Sequence, residues 1–225
     1  MAASFDGHYI DPASGKRPKR LVVLCHGMHA EAGQLLQLAR AWRSVLPETA
    51  FALPNAPLRR RSHWLSPLLP SRREWFSLND QSPAALEAGV RQAAEHIGRI
   101  IDRELERLSL SPEAYALAGF SQGAMTALFA GLRRVNGPRA IVSFAGSLIA
   151  PASLAGEVRT LAPVLLVHGS DDRIVPPASS SAAALMLAAV GVPVATCYRP
   201  GLAHEIDQIG MVEGGRFLGE SLSRN

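Results

Sequence analysis

Three side chains in this sequence have the types and the order needed for acyl transfer. Ser121 sits in Gly119-Phe120-Ser121-Gln122-Gly123, where an apolar run ends and small and apolar residues continue at helical spacing. A serine hydroxyl is a weak nucleophile at neutral pH. It needs a base to take its proton, and the base needs a carboxylate to orient it. Downstream, Asp171 and Asp172 follow a second apolar run, and His204 follows a third in Gly201-Leu202-Ala203-His204-Glu205. Glycine on both sides of Ser121 permits a sharp strand-to-helix turn with close backbone approach. At such a turn the Gln122 N–H faces the space where an oxyanion would form, with the positive end of the helix dipole behind it.

The remaining histidines suit other work. His26 and His168 each precede a glycine at the end of an apolar run, where an imidazole can hold loop backbone. His8, His63 and His96 fall before the core, in a loop and on a helix, and read as surface residues. His204 is the only histidine beyond the two acids, so it takes the base role. Cys25 and Cys197 form no ligand or redox motif, so no metal or cofactor is expected, and they read as strand residues of a protein in a reducing compartment.

The elements that must carry these residues alternate. Apolar strand runs are expected at residues 21–25, 49–53, 115–120, 139–144, 163–167 and 192–198, with a short one near residues 8–10. Helices are expected at residues 30–46, 83–108, after Ser121, 177–190 and 204–222. Ser82 is the N-cap and Pro83 the first residue of the long one. This alternation predicts an α/β fold with a mostly parallel sheet and helices on both faces. Ligands of such sheets bind outside the carboxyl ends of the strands, where His26, Ser121, Asp171, Asp172 and His204 all fall. Residues 1–19 read as an N-terminal arm and 20–225 as one compact domain. Residues 58–82 read as an irregular loop, and a loop of that length is usually functional.

The chain has 225 residues, 48% of them hydrophobic, enough for one domain with a sizeable core. Its net charge of +4 is not gathered into the basic surface that a nucleic-acid binder needs. No stretch resembles a signal peptide or is apolar for long enough to span a bilayer, so a cytoplasmic protein without stable membrane insertion is expected.

Taken in order, Leu24-Cys25-His26-Gly27, Leu53-Pro54-Asn55-Ala56-Pro57, Glu74-Trp75-Phe76, Gly119-Phe120-Ser121-Gln122-Gly123-Ala124, His168-Gly169-x-x-Asp172-x-x-Val175-Pro176 and His204-Glu205-Ile206 resemble the phospholipase/carboxylesterase family of small α/β-hydrolases. That family includes acyl-protein thioesterases and bacterial carboxylesterases. The resemblance implies the α/β-hydrolase fold and a Ser121–Asp172–His204 triad, with Asp172 rather than Asp171 as its acid. It also implies an oxyanion hole made by the backbone N–H groups of Met28 and Gln122. The family pattern usually has His-Gly-x-Gly-Asp in the first loop, whereas this chain reads Met28-His29-Ala30 after His26-Gly27. His29 could therefore touch substrate or face solvent. Trp75 and Phe76 lie where the family lines its site. Trp64 and Leu65 are apolar enough for a lid or acyl groove, or could pack back on the domain. The arginines at 59–61, 72 and 73 could attract anions or simply be solvated.

The activity expected from these residues is hydrolysis of carboxylic esters of short to medium acyl chain through an acyl-enzyme. The substrate would be a small acyl ester or thioester. One alternative is an acyl-protein thioesterase or lysophospholipase acting on long chains. Another, of a different class, is a non-catalytic binding protein of the same fold, and an acyltransferase would use the same triad. The exposed side of the 58–82 loop could equally serve a homodimer.

Overall fold

The run at residues 21–25 is apolar throughout because its two faces serve different cores. Leu21, Val23 and Cys25 pack into one cluster and Val22 and Leu24 into the other, all five fully buried. The computed structural model describes residues 5–60 and 72–223. Its main sheet contains β1 (Gly7–Ile10), β2 (Arg20–Cys25), β3 (Thr49–Pro54), β6 (Tyr115–Phe120), β7 (Ile141–Phe144), β8 (Val164–Gly169) and β9 (Val194–Arg199). A separate antiparallel ribbon pairs β4 (Leu58–Arg60) with β5 (Arg72–Glu74).

The strand order is β1-β3-β2-β6-β7-β8-β9. Only β1 runs antiparallel, pairing His8 with Leu53 and Tyr9 with Ala52. The helices are α1 (Leu36–Val45), α2 (Pro83–Leu108), α3 (Gln122–Arg133), α4 (Pro151–Glu157), α5 (Ala178–Ala189) and α6 (Gln208–Ser223). Val90, Ala93, Ile97 and Ile101 of α2 share one core with Ala127 and Leu128 of α3 and Leu187 of α5. Trp42 of α1 shares the opposite core with Phe144 and Leu218 of α6. The Trp42 indole also donates its N–H to the Met211 carbonyl at 2.8 Å, so a large apolar body is buried without orphaning its polar atom.

The expected alternation is therefore present, with shifts that have physical causes. Residues 32–35 form a single 3-10 turn ahead of α1, and its first N–H, that of Ala32, donates to Asn55 Oδ1 at 2.8 Å. The segment expected to be irregular at 58–82 contains the β4–β5 ribbon, and Trp64, Leu65 and His63 lie outside the described residues. The last helix begins at Gln208, so His204 stands in the loop before it. Arg73 is not a solvated cation. Its side chain is buried and its Nη1 lies 2.9 Å from Asp6 Oδ2. Among the described residues no helix is long and apolar enough to cross a membrane.

Candidate active site

Ser121 occupies the turn between β6 and α3 with φ 54° and ψ −119°. A non-glycine residue in sparsely populated backbone space costs on the order of 1–3 kcal/mol and persists only where its surroundings fix it. Here its N–H donates to the Phe144 carbonyl at 2.8 Å, and its carbonyl accepts from the Met125 N–H at 3.1 Å. A Cβ on Gly123 would lie 2.1 Å from the Cys25 carbonyl oxygen and 2.4 Å from that of His26. Glycine at this position is what lets the start of α3 pack directly against the end of β2.

His204 reaches Ser121 from the far side of the sheet's carboxyl edge. A Cβ on Gly169 would lie 2.2 Å from the Leu202 carbonyl oxygen, so the His204 loop can cross the end of β8 only over a glycine. The Asp171 N–H donates to the Leu202 carbonyl at 2.9 Å, and Ser170 Oγ accepts from the Gly201 N–H at 2.8 Å. These bonds set the imidazole so that His204 Nδ1 is 2.7 Å from Asp172 Oδ2 and Nε2 is 2.9 Å from Ser121 Oγ. A carboxylate can only accept, so Nδ1 carries the proton and Nε2 offers its lone pair to the serine hydroxyl. The Phe120 ring packs 4.8 Å from the imidazole, centroid to centroid, and limits its rotation.

Asp172 is buried, and its two oxygens have different duties. Oδ1 accepts from the N–H groups of Ile174 and Val175, both at 2.9 Å, while Oδ2 faces His204. Burial pushes its pKa up, but the His204 hydrogen bond and the two backbone N–H groups outweigh that and hold it below the usual 3.8. Asp171 points elsewhere, accepting from Ser170 Oγ at 2.7 Å. His168, fully buried, lies 2.8 Å through Nε2 from the Val175 carbonyl and 2.6 Å through Nδ1 from Ser180 Oγ. It therefore braces the loop that carries Asp172.

The first loop is braced in the same way. The Ala56 N–H donates to His26 Nε2 at 2.9 Å, which leaves Nδ1 as the protonated nitrogen, 2.7 Å from the Gly27 carbonyl. Burial lowers the His26 pKa from 6.5, in keeping with a neutral ring. The His29 N–H donates to the Arg73 carbonyl at 2.7 Å. His29 itself is exposed and has φ 62°, so the loop follows a left-handed path even though glycine is absent there. No acceptor among the described residues takes the N–H of Met28, and that of Gln122 opens α3, where no intrahelical partner exists.

Trp75 and Phe76 are each 1% exposed and lie in the core instead of along the open cavity. Gln122 holds both. Its Oε1 accepts from the Trp75 N–H at 2.8 Å, and its Nε2 donates to the Phe76 carbonyl at 2.7 Å. The Trp75 indole donates to the His26 carbonyl at 2.8 Å. These two residues thus tie β5, the Ser121 turn and the first loop together. Sequence reasoning passed over this bracing, together with Gln34. Its signal is only the presence of amide side chains near the motifs.

Beside His204 lies a cavity of about 220 Å³ lined by Gln34, Leu35, Phe120, His204, Glu205 and Ile206. A larger groove of about 470 Å³ runs between α2 and α3, away from Ser121. Three of its four arginines are matched by carboxylates. Arg91 and Arg133 both bind Glu157, and Arg134 binds Asp102, so the groove is a structural ion-pair network. Among the described residues no cluster of His, Cys, Asp and Glu could hold a metal ion.

Comparison with known proteins agrees with this geometry. The crystal structure of esterase PE8 superposes with a TM-score of 0.86 at 34% identity, covering 97% of this chain and 99% of that one. Acyl-protein thioesterase 1 of Aspergillus fumigatus is 25% identical over 224 residues, covering 93% of this chain and 90% of its own length. The Bacillus cereus carboxylesterase, at 14% identity and a TM-score of 0.74, covers 98% of this chain and 96% of its own, and shares the fold. The sheet is that of an α/β-hydrolase, and the chain, matched over residues 11–221, belongs to the phospholipase/carboxylesterase family of hydrolases.

Proposed function

We propose that this hydrolase cleaves carboxylic esters of short to medium acyl chain with Ser121 as nucleophile, His204 as general base and acid, and Asp172 as its orienting carboxylate. The observation that carries this reading is the unbroken chain from Ser121 Oγ through His204 (2.9 Å) to Asp172 (2.7 Å). Ser121 Oγ attacks the acyl carbon as its proton passes to His204 Nε2, and the carbonyl oxygen becomes an oxyanion. When that intermediate collapses, the bond to the leaving oxygen breaks and Nε2 returns the proton to it. A water deprotonated by His204 then attacks the acyl-enzyme, releasing the acid and restoring Ser121. The N–H groups of Met28 and Gln122, neither engaged among the described residues, are the donors assigned to the oxyanion.

The cavity of about 220 Å³ beside His204 favours small esters. Thioester cleavage is the second reading, favoured by the full-length similarity to acyl-protein thioesterases. The same attack serves both, since only the leaving atom changes. The free thiols of Cys25 and Cys197 fit work in the cytoplasm. Substrate contacts by His29, Trp64 and Leu65 belong to this reading as well; a lid spanning 58–82 does not, because Arg73, Glu74, Trp75 and Phe76 within it are buried.

The test is steady-state hydrolysis of p-nitrophenyl esters from acetyl to palmitoyl, with Ser121→Ala as control. Turnover that peaks at short chains and disappears in the variant supports the reading, and a peak at palmitoyl favours the long-chain alternative. Absence of both Ser121-dependent turnover and stoichiometric fluorophosphonate labelling would sink it and leave a binding protein on a hydrolase fold.

A further inference from the structure

The first loop must present one N–H to the oxyanion and keep its neighbours from competing. Three bonds do this. The Gly27 N–H donates to Gln34 Oε1 at 2.8 Å, the Gly27 carbonyl lies 2.7 Å from the protonated Nδ1 of His26, and the His29 N–H donates to the Arg73 carbonyl at 2.7 Å. In a trans peptide the carbonyl and the N–H point in opposite directions. Fixing the Gly27 carbonyl toward His26 therefore aims the Met28 N–H the other way. Rotation of the Gly27 backbone would release this aim, and Gln34 blocks that rotation by holding the Gly27 N–H.

Gln34 is unusual among these partners because it is solvent-exposed, yet its amide oxygen reaches the N–H of buried Gly27. It stands in the 3-10 turn Ala32–Leu35, anchored through the Ala32 N–H to Asn55 Oδ1. The same side chain lines the cavity with Phe120 and His204. His29, with φ 62°, lacks the glycine that would accept this turn without cost. The left-handed path is held from outside instead, with Gln34 on one side and the Arg73 carbonyl on the other.

We propose that Gln34 is a positioning residue for the oxyanion hole, fixing the Gly27–Met28 peptide so that the Met28 N–H is preorganised toward the developing charge. This rests on the esterase reading above. Gln34 touches neither the nucleophile nor the oxyanion and acts through the loop. Losing an oxyanion donor outright costs roughly 10²–10³ in rate, so loosening its aim costs about tenfold.

The experiment compares the full chain with Gln34→Met, which keeps length and loses the acceptor, and with Gln34→Ala. The readouts are kcat, KM, the inhibition constant of phenylboronic acid, which mimics the tetrahedral intermediate, and Tm. The expected result is a fall of about tenfold in kcat and kcat/KM together, KM within about twofold, and a matching rise in the boronate constant. Tm falls by a few degrees, about 2–6 °C, because the buried Gly27 N–H loses its acceptor, and both variants stay folded at the assay temperature. A kcat within about twofold of the parent, a loss confined to KM, or a loss accounted for by unfolding at the assay temperature overturns the proposal while leaving the esterase reading intact. A parent protein without Ser121-dependent turnover overturns both.

Discussion

Replacing Asp172 by Asn tests the triad most sharply, because the structure dictates how the amide must sit. Oδ1 of Asp172 accepts two backbone N–H groups, from Ile174 and Val175 at 2.9 Å each. Only an oxygen satisfies them, so the new NH2 must replace Oδ2 and face His204 Nδ1, now 2.7 Å away. It cannot accept a proton, so Nδ1 has to become the acceptor and Nε2 takes the hydrogen. The imidazole then presents N–H, with no lone pair, to Ser121 Oγ across 2.9 Å. The base is lost with the geometry intact. The expected fall in kcat is about 10⁴-fold, or about 5 kcal/mol of activation free energy at 1.36 kcal/mol per decade. The assay is p-nitrophenyl acetate turnover, with far-UV circular dichroism to show that the variant is folded. A folded Asp172→Asn protein that retains more than a tenth of parental kcat would refute the tautomer argument.

Three further outcomes follow from the geometry. Gly123→Ala places a Cβ 2.1 Å from the Cys25 carbonyl oxygen, so urea unfolding should report a loss of about 3 kcal/mol or more, and a loss below about 1 kcal/mol would show that the turn can move aside. His29→Gly relieves a left-handed residue at φ 62° and should raise stability by about 0.5 kcal/mol after the entropy of glycine is deducted, whereas His29→Val should lower it; equal Tm shifts for the two would remove the strain argument. Stability should also fall on acidification in two windows. His26 has a depressed folded pKa, so the unfolded chain binds more protons below 6.5, and its contribution, complete above 6.5, is lost as pH falls through the lower folded value. Asp172, held below 3.8, and Glu157, held down to about 2 by hydrogen bonds from Arg133 and Arg91, contribute above their unfolded values of 3.8 and 4.5 and lose this as pH drops toward about 2. A Tm that stays flat from pH 7 to pH 3 would contradict both assignments.

What the sequence alone determined is what depends on neighbours along the chain. The turn at Ser121 is written in Gly119-Phe120-Ser121-Gln122-Gly123, because its steric demands are met within a few residues. The buried strands of the parallel sheet are legible in continuous apolar runs, since both faces of each strand need apolar side chains. The start of α2 at Ser82-Pro83 is equally local, and Ser82 Oγ accepts the Ala85 N–H at 3.4 Å. The order of serine, acids and histidine along the strand ends placed the right side chains on one edge of the sheet.

Tertiary structure decided what depends on partners far away in sequence. Which of two adjacent acids meets His204 is a matter of where the loop over Gly169 crosses, and only folding brings residues 32 positions apart to 2.7 Å. Arg73 belonged to an arginine-rich stretch that reads as solvated, yet it is buried against Asp6 and lends its carbonyl to His29. Trp75 and Phe76 carry an aromatic signature suited to a pocket wall, but both are buried in the core, where Gln122 fixes their backbone by accepting from the Trp75 N–H and donating to the Phe76 carbonyl. Gln34 carries no motif at all. Its amide matters because a 3-10 turn fixed by Asn55 lifts it to the Gly27 N–H, and a hydrogen bond across two segments leaves no periodicity in either of them.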